Sequence, residues 1–257
     1  MCGSYLLSVE DSDEIAHILK ALARRQAARR AAATGVASGG AGIDGVVSGD
    51  DYSARASAGA VFTDAASARE TSADVPSADA VMFPGRRVPV VWLEDGHHEP
   101  VLMHWGLPGF DGGREIINAR SETAAVKPLF SESLAHRRCV VPTTGFFEWS
   151  PEKTRYRFNL PDRPEVYLAG IYMPSPDGDR CCILTRPASA VVAPIHDRMP
   201  VVLGRDDLAP WLDDGGETAR ILEALAPLLV ATPDTTRRKP DGNHRNTRRP
   251  PEQPSLF

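Results

Sequence analysis

The feature that most constrains the fold is a succession of short apolar runs between residues 88 and 203, rich in β-branched and aromatic residues and separated by turn-forming residues. VPVVWLED (88–95) and PVLMHWGL (100–107) read as a hairpin around Asp95–Gly96. RCVVPTTGFFEW (138–149), YRFNL (156–160), VYLAGIYM (166–173) and CCILTRPA (181–188) read as further strands. VVAPIHDRMPVVL (191–203) begins as a turn or short helix and ends as a strand. Many strands with few helices imply an α+β class, with a curved, barrel-like sheet and flanking helices.

The helices are few. Residues 11–30 carry N-cap candidates at Asp11, Ser12 and Asp13, and Ile15, Ile18, Leu19 and Leu22 recur at helical spacing. A helix is predicted from Ser121 to about Phe130, and others over Leu208–Leu212 and Glu217–Leu229. Residues 31–79 are rich in Ala, Gly, Ser and Asp and hold few large apolar side chains, so they read as a largely disordered insertion. The chain after Thr232 reads as poorly ordered. The expectation is one domain over 1–232, with the insertion at 31–79, followed by a flexible basic tail at 233–257.

No apolar run is long enough to cross a bilayer. The first residues, MCGSYLLSVEDSDE, put acids where a signal peptide carries bases and a long apolar core. A cytoplasmic location, no membrane partner and a monomer are expected. The net charge of −5 does not announce a nucleic-acid binder, yet RRKPDGNHRNTRR (237–249) is strongly basic. It is either an arm drawn to phosphates or a solvated tail.

The four cysteines, Cys2, Cys139, Cys181 and Cys182, include no C-x-x-C pair and no Cys/His cluster of zinc spacing, so no metal and no cofactor is expected. Cys139, Cys181 and Cys182 sit in apolar runs and read as core. Cys2 differs. Removal of Met1 would leave a 1,2-aminothiol, an amine of pKa roughly 8 beside a thiol of pKa roughly 8.5. Such a pair traps aldehydes: the amine forms a Schiff base and the thiol closes a thiazolidine on the same carbon. It also suits acyl transfer, and it would equally be an incidental residue on a frayed terminus.

Other segments carry polar chemistry. INARSET (117–123) sets Asn118 and Arg120 two apart, so in an extended segment both face one way, suiting a sugar oxygen and a phosphate, or simply a surface ion pair. GFFEW (145–149) embeds Glu148 among aromatics, where it is either a desolvated acid–base group or an outward-facing strand residue. HDRMP (196–200) offers His196 and Arg198, as proton shuttle and phosphate ligand or as structural groups. In HWGLPGF (104–110), Trp105 and Phe110 are candidates for stacking on unpaired bases, Trp105 more naturally as a core residue.

Together and in this order, Met-Cys-Gly, N-A-R-x-E-T, G-F-F-E-W and H-x-R-M-P resemble the SRAP family, the SOS response-associated peptidases, over Cys2 to about Leu203 with the 31–79 insertion skipped. The ending QPSLF is similar to some bacterial members. The resemblance implies one α+β domain with a barrel-like core. Its implied activity is binding of single-stranded DNA and a thiazolidine crosslink to abasic sites, shielding them from cleavage. In this chain it implies Cys2 as nucleophile, Asn118 beside the aldehyde, Arg120 on a phosphate, Glu148 as acid–base group and His196 in ring opening or proton transfer. It also implies self-processing by Cys2 to remove Met1. Ser4 stands where many members carry Arg, FPG (83–85) where many carry N-x-A-P, and Asp111 where an aromatic often occurs. These departures bear on DNA affinity, for which Arg86, Arg87 or the tail would compensate. The competing classes are an N-terminal-nucleophile amidohydrolase, a non-catalytic single-strand-binding module and a peptidase acting on other proteins.

Overall fold

The structure, a computed structural model, describes residues 3–33, 75–76, 79–109, 113–213 and 216–235. In chain order the elements are β1 (Tyr5–Leu7), α1 (Asp13–Ala33), β2 (Ala80–Met82), β3 (Arg87–Glu94), β4 (His97–Trp105) and β5 (Asn118–Arg120). Then come α2 (Ser121–Ala124), α3 (Pro128–His136), β6 (Arg138–Thr143), β7 (Gly145–Trp149), β8 (Arg155–Asn159), β9 (Val166–Met173) and β10 (Arg180–Pro187). The chain ends in β11 (Arg198–Pro200), β12 (Val202–Leu203), α4 (Leu208–Leu212), α5 (Thr218–Glu223) and β13 (Val230–Pro233). Cys2, Phe110, most of the 31–79 insertion and the 237–249 basic run lie outside the described residues.

The larger sheet closes on itself. β3 pairs with β4 and β6, β6 with β9, β9 with β10, and β10 in parallel with β4, which completes a ring of five strands. The α+β class and the curved, ring-like sheet follow as expected from the run of short strands. The hairpin joining β3 and β4 turns at Asp95 and Gly96, with φ of +50° and +78°. Two consecutive left-handed residues match the twist of the paired strands, which is why an Asp-Gly pair ends the run there.

Ring strands are buried on both faces, so they read as unbroken apolar runs rather than alternating ones. Cys139, Val141, Leu168, Cys181 and Ile183 face a core shared with Tyr5, Leu7, Phe146 and Phe158 of the smaller sheet. Val140, Ala169, Ile171, Cys182 and Leu184 face a second core with Phe130, Leu134 and Trp211 of the helices. The three inner cysteines are fully buried, and burial pushes their thiols up, Cys181 to about 12.

The smaller sheet runs β13-β8-β7-β1-β2. Its β7 comes from a run that reads in sequence as one strand with β6. The break is at Gly145, whose φ is +156° and where an added Cβ would stand 2.8 Å from the Phe158 carbonyl oxygen. The hinge passes the chain from the ring to the smaller sheet, and Thr143 Oγ1 braces it by donating to the Leu6 carbonyl (2.5 Å). Helix α1 starts where expected, with Ser12 Oγ accepting the Ile15 N–H at 3.2 Å. Two helix boundaries differ from expectation. The helix predicted over 121–130 is broken into α2 and α3, because the residue before Pro128 is held extended. The helix predicted over 217–229 stops at Glu223, and the chain then forms β13 against β8.

Candidate functional site

Glu148 lies on β7, in the smaller sheet. It shares a face with Phe146, whose ring stacks on Phe158 with centroids 5.1 Å apart. Only 3% of Glu148 is exposed, against 55% of Trp149 beside it, so the outward-facing alternative for Glu148 is overturned. Burial pushes its carboxyl up to about 7, and the negative charge of Asp197 adds to the shift. β1 pairs antiparallel with β7, Tyr5 opposite Phe146, and the Phe147 N–H donates to the Ser4 carbonyl at 3.0 Å. Continued by two residues, this register sets Gly3 opposite Glu148. The segment leading out of Cys2 therefore runs alongside a carboxyl poised near neutrality.

Asn118 and Arg120 begin and end β5, a three-residue strand parallel to β10 with Asn118 opposite Ile183 and Arg120 opposite Thr185. Both side chains face one way, as their spacing predicts, with Ala119 buried between them. Trp105 secures the start of this strand: its Nε1–H donates to the Ile117 carbonyl at 2.9 Å. Its indole also packs on Tyr5 of β1, ring centroids 5.3 Å apart. This contact connects the N-terminal strand to Asn118 through one side chain. Trp105 itself is fully buried, so it supports the site as a core residue and presents no face to a base. Asn118 lines two clefts. One, of about 460 Å³, includes Arg120, Lys127 and the first residues of α3. The other, of about 590 Å³, includes Pro84, Gly85 and Glu115. Phe83, next to Pro84, is a large aromatic left 44% exposed.

His196 and Arg198 stand on the other edge of β10, where β11 pairs antiparallel with it, Arg198 opposite Pro187. The turn holds the imidazole in place. Its Nδ1 lies 3.0 Å from the Arg198 backbone nitrogen, which donates to it, and 3.0 Å from Asp197 Oδ1. The charge of Asp197 is felt at Glu148, which puts the H-D-R-M-P turn, far away in sequence, within electrostatic reach of the G-F-F-E-W strand.

Arg198 is committed differently from expectation. Its guanidinium forks onto both carboxylate oxygens of Glu122 and donates to the Thr185 carbonyl at 2.7 Å. That pairing holds Glu122 down at about 2. The cation meant for a phosphate instead ties β11 to α2 and so braces Arg120, two residues before Glu122. Arg120 has no ion-pair partner among the described residues and is exposed. Sequence reasoning passed over Glu122, Tyr5 and Lys127. Glu122 lay in plain view inside N-A-R-S-E-T, but nothing local marks it as the partner of an arginine 76 residues on. Among the described residues no group of three or more His, Cys, Asp or Glu is placed to hold a metal ion. Nor is any of their helices long and apolar enough to cross a membrane.

A model of the family described as SOS response associated peptidase (SRAP) matches residues 1–237. An abasic site processing protein of Bacillus subtilis, YoqW, is 33% identical over 148 residues, covering 52% of this chain and 66% of that protein. The Escherichia coli abasic site processing protein YedK is 31% identical over 137 residues, 50% of this chain and 62% of that one. The chain thus spans slightly under two thirds of the length of these relatives. Among solved structures, a Bordetella bronchiseptica protein aligns with a TM-score of 0.54 at 24% identity, over 64% of this chain and 92% of that one. A phage-related protein of the same organism aligns at 0.53 and 23%, over 63% and 84%. At that identity the two support the ring-like fold alone.

Proposed function

The chain belongs to the SOS response associated peptidase (SRAP) family, and on that premise we propose that it processes abasic sites in single-stranded DNA by bonding Cys2 to the sugar aldehyde. The relatives named abasic site processing proteins support the substrate. The observation that carries the chemistry is Glu148: a carboxyl raised to about 7 on the strand that runs beside the chain's first residues.

The reaction needs a neutral amine, an open aldehyde and a route for one proton. Removal of Met1, which we assign to Cys2 itself, exposes the aminothiol. Ionised Glu148 takes a proton from the terminal ammonium, and the free amine adds to C1′ of the opened sugar. Glu148 returns that proton to the carbinolamine hydroxyl, which leaves as water, giving the Schiff base. The Cys2 thiolate then adds to the same carbon and closes the thiazolidine. Aldehyde and aminothiol thus give thiazolidine and one water. A carboxyl with pKa near the working pH suits both halves of this transfer. Asn118 presents an amide to the sugar oxygen, Arg120 its guanidinium to a neighbouring phosphate, and His196 a ring nitrogen for opening the sugar. Arg198 acts by holding Glu122 and the strand carrying Arg120.

The test is a denaturing gel of the Met1-processed protein with single-stranded DNA carrying one abasic site. A band that survives denaturation, needs the abasic site and vanishes in Cys2→Ala is the expected result. No such band from correctly processed protein would overturn the covalent reading and leave a binding module or an amidohydrolase.

A further inference from the structure

The ring closes over a short seam. β4 and β10 meet in parallel at two residue pairs, Arg180 opposite His104 and Cys181 opposite Trp105, and parallel pairing is the less stable kind per residue. β5, which carries Asn118, is no more firmly held: it is three residues long and, among the described residues, pairs with β10 alone. Leu107 and Ile116 exchange backbone hydrogen bonds at 3.0 and 2.9 Å, which closes the base of the excursion between β4 and β5. Glu115 adds a side-chain fastening. Its Oε1 accepts from His104 Nε2 at 2.8 Å and from Arg180 Nη1 at 2.9 Å, so one oxygen bridges the two residues that face each other across the seam. The same Arg180 nitrogen donates to the Gly106 carbonyl at 3.2 Å. The other carboxylate oxygen lies against the bare backbone of Gly106, where an added Cβ would stand 2.6 Å from it. All three side chains are partly buried, which strengthens charge-assisted bonds relative to those in open water.

We propose that Glu115, clamped between His104 and Arg180, is a positioning residue for the crosslinking reaction and acts through Asn118. The proposal rests on the abasic-site reading above. Glu115 stands three residues before Asn118. Between them, the Ile117 carbonyl accepts from Trp105 Nε1 at 2.9 Å and from the Ile183 N–H at 3.1 Å. The approach to β5 is thus pinned to the seam at Glu115 and to the ring at Ile117, and the Asn118 amide is delivered at a fixed depth. Without the carboxylate, the Leu107–Ile116 bonds remain, but the side-chain tie from that loop to the seam is gone. The loss falls on orientation rather than on DNA contact, and a misplacement of about 1 Å costs on the order of 100-fold in rate.

The test follows single-turnover crosslinking of the Met1-processed full chain to an abasic single strand over a range of protein concentrations, which separates the saturating rate from the half-saturating concentration. Glu115→Ala should lower the saturating rate about tenfold or more and leave the half-saturating concentration within about twofold. Glu115→Gln keeps the length of the side chain and an acceptor oxygen while removing the charge, and should recover most of that rate. In an Asn118→Ala background, Glu115→Ala should cost less than about twofold, because a residue acting through Asn118 has nothing left to position. Amide hydrogen exchange at Leu107 and Ile116 should quicken about tenfold in Glu115→Ala and return toward the parent in Glu115→Gln, with a thermal melt confirming that both variants are folded. The role is overturned if Glu115→Ala crosslinks within about twofold of the parent, if Glu115→Gln is as slow as Glu115→Ala, if the loss is undiminished without Asn118, or if the two amides exchange at the parent rate. A processed parent that gives no band overturns the abasic-site reading and takes this role with it. A parent band beside an unaffected Glu115→Ala overturns this role alone.

Discussion

Replacing Glu148 with Gln keeps the shape of the side chain and removes its titration, and the structure gives the size of the effect. Burial holds the carboxyl at about 7 against an ordinary 4.5, a gap worth about 3 kcal/mol. Below about pH 4.5 the group is protonated in folded and unfolded chains alike and costs folding nothing. As pH rises from there to about 7, the unfolded chain ionises while the folded one stays protonated, so stability is lost through that window. Above about 7 the folded protein carries the full penalty. Glu148→Gln should therefore match the parent near pH 4.5 and gain on it steadily, melting higher by roughly 6–12 °C at pH 8 for a domain of this size. The readout is the difference between the two melting curves from pH 4.5 to 8, which cancels every other titrating group. The same variant should crosslink abasic DNA about 100-fold more slowly or worse. The parent's rate should rise with pH through an inflection near 7 that the variant lacks. A stabilised, slower enzyme is the signature of a group buried for function rather than for folding. Melting curves that stay parallel across the whole range would refute the burial argument, and an unchanged rate profile would refute the assigned role.

Arg198→Ala should release Glu122 and loosen α2 against β11. Because Glu122 is well exposed, the loss should be only about 1 kcal/mol. The pair stabilises above Glu122's ordinary range and fades as pH falls toward about 2, so urea unfolding at pH 7 and pH 3 should show the full difference at pH 7 and less than half of it at pH 3. Gly145→Ala should destabilise by about 2 kcal/mol or more, since the new Cβ meets the Phe158 carbonyl at 2.8 Å in a positive-φ conformation. Denaturant unfolding with an unchanged slope and a lower midpoint is the expected reading there.

What the sequence yields and what it withholds divide along one physical line. Long strands buried on both faces announce themselves as apolar runs, so β3, β4, β6, β9 and β10 are legible, and the ring with them. β1 and β2 are three residues each, and Tyr5 finds its partners at Met82 and Phe146, so nothing local distinguishes them from loop. β13 is hidden for the same reason: its pairing with β8 joins residues about 70 apart. The site follows this division. Asn118 and Arg120 are legible as a same-face pair because strand periodicity alone decides it. Glu148 shows its aromatic company in sequence, but its burial depends on β1 and β8 flanking it, which no window of sequence contains. Arg198 is the instructive case. Beside a histidine, in a turn, an arginine reads as a phosphate ligand, and the structure gives its fork to Glu122 instead. A guanidinium binds whichever planar anion the fold brings to it, carboxylate or phosphate, so its residue type cannot choose between them. The choice is made here by β10, which carries Arg198 on one edge and the strand before Glu122 on the other. With Arg198 occupied, Arg120 and Lys127 are the cations that line the cleft of about 460 Å³.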